Sequence, residues 1–281
     1  MLIRAFTELS SASQVIVSTH TPMLARYLPD TSLRYIHIAK NKKREIRCGG
    51  PQNNDYFART LGVLPDNAVK LFIGVEGPND IKFLQNISRI LCDEDSKIPD
   101  LEKMELNGEL IFFPLGGCNL ALWASRLKSL RRPEFHLFDR DVEPPLIPQN
   151  QKDVDNVNKR EKCKALHTSK KEIENYLHRD AIIKAYKDDN INLTIESNFG
   201  PFDDVPAKIA KLVHEHSESE KKWHEITDKE KKYKESKAKR TLCCKAANYM
   251  NMELLNEIDP NHEILQWFKD IEELINQTDN G

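Results

Sequence analysis

The sequence predicts an α/β fold: a parallel sheet flanked by helices, with a helical C-terminal part. Three observations carry this. Apolar runs of strand length (Lys70–Val75, Leu110–Phe113, Glu134–Phe138) alternate with stretches of helical periodicity, an order that implies parallel strands joined by right-handed crossovers. Carboxylates stand where predicted strands hand over to a loop or helix, at Glu76 and at Asp139-Arg140-Asp141. Finally, Ala207–Ala247 reads as mostly helix and Asn261–Asn276 as a closing helix.

Taken in order, Met1–Ser11 reads as an amphipathic helix and Gln14–Ser18 (QVIVS) as a short apolar strand. Thr19-His20-Thr21-Pro22 caps a further helix, MLARYL, with proline in the first turn. Leu33–Ile38 and Arg44–Cys48 are strands joined by an Asn41-Lys42-Lys43 turn, Asp55–Leu61 is a short helix and Gly62–Ala68 a linker. These residues do not make a convincing domain alone and read as the tail of something larger.

From Lys70 the pattern is regular. The strand Lys70–Val75 turns at Glu76-Gly77-Pro78-Asn79-Asp80 into a helix, Asn79–Leu91, with Ile81, Leu84, Ile87 and Leu91 at helical spacing. Cys92–Glu109 is a polar connection to the strand Leu110–Phe113. Gly116-Gly117 then turns into a helix, Asn119–Leu130, and these glycines serve equally a ligand approach or a plain turn. The strand Glu134–Phe138, a proline-rich loop Val142–Pro148, a short strand Lys164–His167 and a helix Glu172–Lys187 follow, with Ser169 as a cap for that helix.

At 281 residues, 39% hydrophobic and 31% charged, the chain can bury a full core and keep a solvated surface. No apolar run approaches the length of a membrane span, and the start lacks a signal-peptide core. The six cysteines are scattered without a C-x-x-C pair, so neither a zinc site nor a disulfide framework is expected and a reducing cytoplasm is. Net charge is −2, but Ala207–Lys245 holds 12 Lys/Arg against 7 Asp/Glu, while Ala246–Gly281 holds one Lys against 8 acids. The basic segment reads either as a phosphate-facing surface or as an ordinary solvated helical face.

In a parallel α/β sheet the carboxyl ends of the strands meet on one rim, where ligands bind. Carboxylates gathered there repel one another, and a hard divalent cation, Mg²⁺ or Mn²⁺, relieves that repulsion. Glu76, ending an apolar strand, is the sharpest candidate; Asp80 also suits an ordinary helix start. Asp139 and Asp141, one residue apart, would point to the same side in extended geometry. Glu172 and Glu174 are candidates for a second metal shell, or plain first-turn acids. Lys237, Lys239 and Lys245 lie on a basic helix, from which one could stabilise phosphoryl charge.

The ordered segments LFIGVEGPNDIKFL, PLGG, HLFDRD and KKEIENYL together resemble the Toprim nuclease domain of the OLD (overcoming lysogenization defect) family. The same domain type occurs in nuclease subunits of anti-phage systems such as Gabija and some retrons. QVIVSTHTPMLARYL resembles the end of the ABC-type ATPase domain that precedes Toprim in that family, with His20 matching its nucleotide-sensing histidine. The resemblance spans about Met1–Asp180 and divides the chain into a C-terminal ATPase remnant, 1–68, and a Toprim domain, 69–281, whose helical extension covers about 181–281.

The resemblance implies a metal-dependent DNA endonuclease of an anti-phage defence system. Glu76, Asp80, Asp139 and Asp141 would hold Mg²⁺ or Mn²⁺, and Glu174 or Glu172 would contribute to a second site. A lysine assists in the family; Lys239, just before Thr241-Leu242-Cys243, is assigned that role, with Lys237 and Lys245 as alternates. The chain has no G-x-x-x-x-G-K-[ST] phosphate loop, no Walker B acids and no ABC signature, so it is not expected to hydrolyse ATP alone. A homodimer or a separate ATPase subunit is the expected partner besides DNA, with no membrane involvement. Primase or topoisomerase chemistry on the same fold is the first alternative, and the His20 segment argues against it. A non-catalytic remnant that binds DNA or a partner ATPase subunit is the second.

Overall fold

The computed structural model describes residues 10, 13–18, 32–38, 44–48, 69–115, 132–217 and 221–279. The expected Met1–Ser11 helix (Ser10 excepted), His20 and the MLARYL helix lie outside the described residues, as do Asp55–Leu61, Gly116-Gly117 and Asn119–Leu130. The chain divides into two compact units, Met1–Val69 and Lys70–Gly281.

In the first unit, β1 (Arg34–Ile38) and β2 (Arg44–Cys48) form an antiparallel pair, with Ile36 opposite Ile46. Both expected strands are therefore present. Gln14–Ser18 is not a strand: it carries no ladder, and Ile16 and Val17 are exposed. β-Branched composition needs a pairing edge and a face to cover, and no described strand supplies one here.

The second unit is built on a four-stranded parallel sheet in the order β4-β3-β5-β6. Its strands are β3 (Leu71–Val75), β4 (Leu110–Pro114), β5 (Glu134–Phe138) and β6 (Cys163–His167). Every residue of β3 and β5 is buried, which is why both read as continuous runs rather than alternating ones. Gly74 is required at the middle of β3, because a Cβ there would overlap the ring of His136 on β5. From β3 the chain passes through α1 (Pro78–Glu94) and α2 (Leu101–Leu106) to β4 on one side. It then returns to β5 on the other side of β3. That reversal makes the β3/β5 junction a topological switch point, the position at which open α/β sheets bind ligands beyond the strand ends.

Helix α1 starts with Gly77 as N-cap and Pro78 in the first turn, and the Asp80 carboxylate accepts the Gly77 N–H at 2.7 Å. It buries Phe83, Leu84, Ile87 and Leu91 against the sheet. After β5 come α3 (Gln151–Asn158), β6, a 3₁₀ turn (Ile173–Tyr176) and α4 (Arg179–Lys187). Helices α5 (Val205–Glu215), α6 (Asp228–Cys244), α7 (Met252–Ile258) and α8 (Glu263–Asp279) complete the unit. α6 packs on both α5 and α1, which carries it to the sheet's carboxyl rim.

Three expectations need correction. The polar connection Cys92–Glu109 contains α2, capped by Asp100. Ser169 caps no helix: its N–H and hydroxyl both donate to Glu263. Glu172–Lys187 is also not one helix. Leu177 and His178 are extended, and the His178 ring accepts the Asp180 N–H at 3.2 Å to start α4 afresh. Asn175 meanwhile donates to the carbonyls of Gly200 and Asp203, at 2.8 and 3.0 Å. Such side chain–backbone bonds compete with helix continuation. Among the described residues, no helix is long and apolar enough to cross a membrane.

Candidate metal centre

Two neighbouring strands deliver the first carboxylates. Glu76 follows β3, Asp139 follows β5, and the Asp139 N–H donates to Glu76 Oε1 at 3.3 Å. Asp80, one helical turn into α1, is buried beside them. The third contribution comes from the loop after β6. Thr168 accepts the Arg140 N–H at 3.1 Å and donates to the Lys170 carbonyl at 2.8 Å, tying that loop to the end of β5. Ile173 N–H donates to Asp139 Oδ1 at 3.1 Å. The 3₁₀ turn then places Glu172 and Glu174, one residue apart, at the same spot. Oxygens of Asp139, Glu172 and Glu174 all lie within 4.8 Å of one another. Opposite ligands on a Mg²⁺ ion stand about 4.2 Å apart, so the triad is of a size to close on a small hard cation.

The fourth contribution is the cation Lys239 from α6. Its ammonium lies 3.6 Å from Asp139, 3.4 Å from Glu172 and 3.5 Å from Glu174. One helical turn on, the Cys243 thiol donates to Glu174 Oε1 at 3.2 Å. The i, i+4 spacing puts both side chains on the same face, which explains how one helix meets Glu174 twice.

The balance of charge is lopsided: Glu76, Asp80, Asp139, Glu172 and Glu174 surround one ammonium. Burial raises the pKa of all five carboxyl groups, aided by repulsion from neighbouring acids at Glu76, Asp139 and Glu174 and from Asp204 at Glu172, with Glu76 at about 7 and Glu174 at about 8. The acids in turn hold the Lys239 ammonium well above the usual lysine range despite its partial burial. Two carboxylate oxygens, Glu172 Oε1 and Glu174 Oε2, are buried with no hydrogen-bond partner. An unpartnered buried carboxylate oxygen is costly, and hard cations take such oxygens as ligands.

The sequence candidates thus converge, with one difference of geometry. Asp141 is not in extended backbone; its φ is +60° and its side chain is exposed, so the spacing argument does not align it with Asp139. It is still close enough to raise the Glu76 carboxyl electrostatically. Arg140 turns to the carbonyls of Val142 and Leu146, away from the acids. Lys237 is exposed, and Lys245 pairs with Asp189 at 2.5 Å, which leaves Lys239 as the lysine at the site. His20 lies outside the described residues. Sequence reasoning missed Cys243, whose signal is its four-residue offset from Lys239. It also missed Asp204, which holds Lys171 at 2.8 Å beside Glu172.

Compared with known protein families, curated proteins and solved structures, the chain matches none.

Proposed function

We propose that this protein is a divalent-metal-dependent DNA endonuclease whose Lys70–Gly281 unit is a Toprim-type domain of the OLD kind, serving in anti-phage defence. The observation that carries the reading is the carboxylate cluster at the β3/β5 switch point with two buried oxygens unpartnered. Asp139, Glu172 and Glu174 would hold one Mg²⁺ or Mn²⁺, and Glu76 with Asp80 and Asp141 a second. Bound there, the ions supply an activated water and charge for the departing oxygen of a phosphodiester.

The chain's own residues do the remaining work. Asp139 holds the Ile173 backbone and so fixes the Glu172–Glu174 turn against β5. Lys239, kept protonated by its neighbours, offers a fixed positive charge to a phosphoryl group entering the cluster. Burial pushes the Glu76 carboxyl up to about 7, so in the metal-free chain it keeps a proton near neutrality and would release it on taking a cation. The Met1–Val69 unit is assigned to an ABC-type ATPase by sequence resemblance alone, and a partner ATPase subunit or a second copy of the chain is the companion that this assignment implies.

A second reading takes Lys239 as the cluster's own counter-ion, in a module that binds DNA or a partner without cutting it. Incubating the protein with supercoiled plasmid in Mg²⁺, Mn²⁺ or EDTA, beside Asp139→Asn, separates the two. Metal-dependent nicking or linearisation that vanishes in the variant supports the nuclease. No cleavage with either metal, or cleavage equal in the variant, overturns it.

A further inference from the structure

The helix that lends Lys239 to the cluster has an outer face that the metal chemistry does not use. Along α6, Lys229, Tyr233 and Lys237 follow one another at i, i+4 and i+8, and Lys232, Ser236 and Arg240 form a parallel row. Residues at this spacing share a side of a helix, and all six are exposed. Among the described residues, no ion pair holds Lys229, Lys232, Lys237 or Arg240. Of the helix's acids, Asp228 opens the second row one turn before Lys232 but pairs with Lys231 at 3.6 Å, Glu230 closes a capping box with Thr227, and Glu235 is half-buried. In the middle of the unpaired cations stands Tyr233, 73% exposed. From Lys229 to Arg240 the face runs about 16 Å at 1.5 Å per residue, and its far end adjoins Lys239 among the carboxylates.

We propose that this face is a docking surface for single-stranded or locally unpaired DNA, leading the strand to the carboxylate cluster. A row of free cations neutralises phosphates without reading sequence. An exposed aromatic ring among them stacks on a base, and only an unpaired base presents its face. The inference rests on the nuclease reading for its orientation toward the cluster and names that enzyme's substrate class.

The test is fluorescence anisotropy of a labelled oligonucleotide, single-stranded and as a duplex, with Ca²⁺ present and salt varied. The triple variant Lys229→Ala, Lys232→Ala, Arg240→Ala should weaken single-strand binding about tenfold or more. It should also flatten the salt slope by about 2, since each phosphate contact on a single strand contributes about 0.7. Tyr233→Ala should cost roughly tenfold on the single strand and leave the duplex unchanged. A control, Lys187→Ala with Lys269→Ala on α4 and α8, removes exposed charge elsewhere and should change binding less than about twofold.

A triple variant no weaker than the control overturns the surface, and so does a Tyr233→Ala loss equal on both substrates. The plasmid assay judges the nuclease reading separately. DNA binding lost in these variants beside an inactive wild type would remove the nuclease and keep the surface; cleavage beside unaltered binding would do the reverse.

Discussion

Strand β5 carries a buried carboxylate at each end, and the fold treats them differently. Glu134, at its start, receives the Arg160 guanidinium on both oxygens, and His136 Nε2 lies 3.0 Å from Oε2. Its charge is matched by one rigid, bidentate partner, an arrangement that needs no further ligand. Asp139, beyond the other end, belongs to five acids that share one lysine, and two oxygens of that group have no partner. Burial of charge is therefore not the mark of a site. The mark is burial without enough opposite charge.

The largest expected effect separates the two ends by activity. Glu76→Ala or Asp139→Asn should reduce metal-dependent cleavage by on the order of 10³-fold, about 4 kcal/mol of transition-state stabilisation. Asp139→Asn should not lower the melting temperature in EDTA, because its amide oxygen can still accept the Ile173 N–H while one charge of the cluster is removed. Arg160→Ala should do the opposite. With Glu134 buried and deprived of its partner, stability should fall by about 3–5 kcal/mol in urea unfolding. Mn²⁺ affinity of the folded fraction should stay the same. If Arg160→Ala weakened Mn²⁺ binding as strongly as Asp139→Asn, the distinction between the ends would collapse.

The rim cluster should also titrate. Glu174, ordinarily at 4.5, sits at about 8, and Glu76 at about 7. Between those values the folded chain holds more protons than the unfolded one. Stability of the metal-free protein therefore falls as pH rises from about 4.5 to about 8. Metal binding displaces the same protons, so affinity should climb across that window. Melting curves in EDTA at pH 5.5 and 8, with Mn²⁺ titrations at pH 6 and 8, check both signs. Lys239→Met removes the ammonium that holds these carboxyl groups down, so it should carry the metal-free loss to higher pH and deepen it by about 1–2 kcal/mol at pH 8, and Mn²⁺ should restore much of it.

How far this was legible in the sequence follows from the same physics. β3 and β5 are apolar runs stopped by acids, so both the strands and the rim residues Glu76 and Asp139 could be read directly. Helix α3, QKDVDNVN, buries only Val154 and Val157, too little periodicity to detect. α2 is six residues long and buries only Leu101. The turn at Glu172–Glu174 was hidden because its shape depends on Asn175 reaching Gly200 and Asp203, contacts remote in sequence. Asp141 was placed by spacing as though the backbone stayed extended, but φ turns positive there, a conformation that aspartate tolerates better than most residues. Lys239 could be chosen from its basic run by resemblance, whereas its company is a product of helix packing.

The smallest expected effect concerns Cys243 and tests how the open end is held. Glu134 is fixed by a bidentate charged partner; Glu174 meets the Cys243 thiol at 3.2 Å and the Lys239 ammonium at 3.5 Å on one oxygen, while the other stays unpartnered. Burial and the acids around it push the Cys243 thiol up, so it remains S–H and acts as a donor. A neutral, weak donor can orient a carboxylate without consuming the charge that a cation needs. Cys243→Val keeps the volume and removes the donor, and should weaken Mn²⁺ binding about tenfold, as loss of a ligand's outer partner does. Cys243→Ser keeps a donor and should bind Mn²⁺ within about threefold of the wild type. Equal affinity in both variants would mean that the thiol only fills space, and that Glu174 is oriented by its 3₁₀ turn and Lys239 without it.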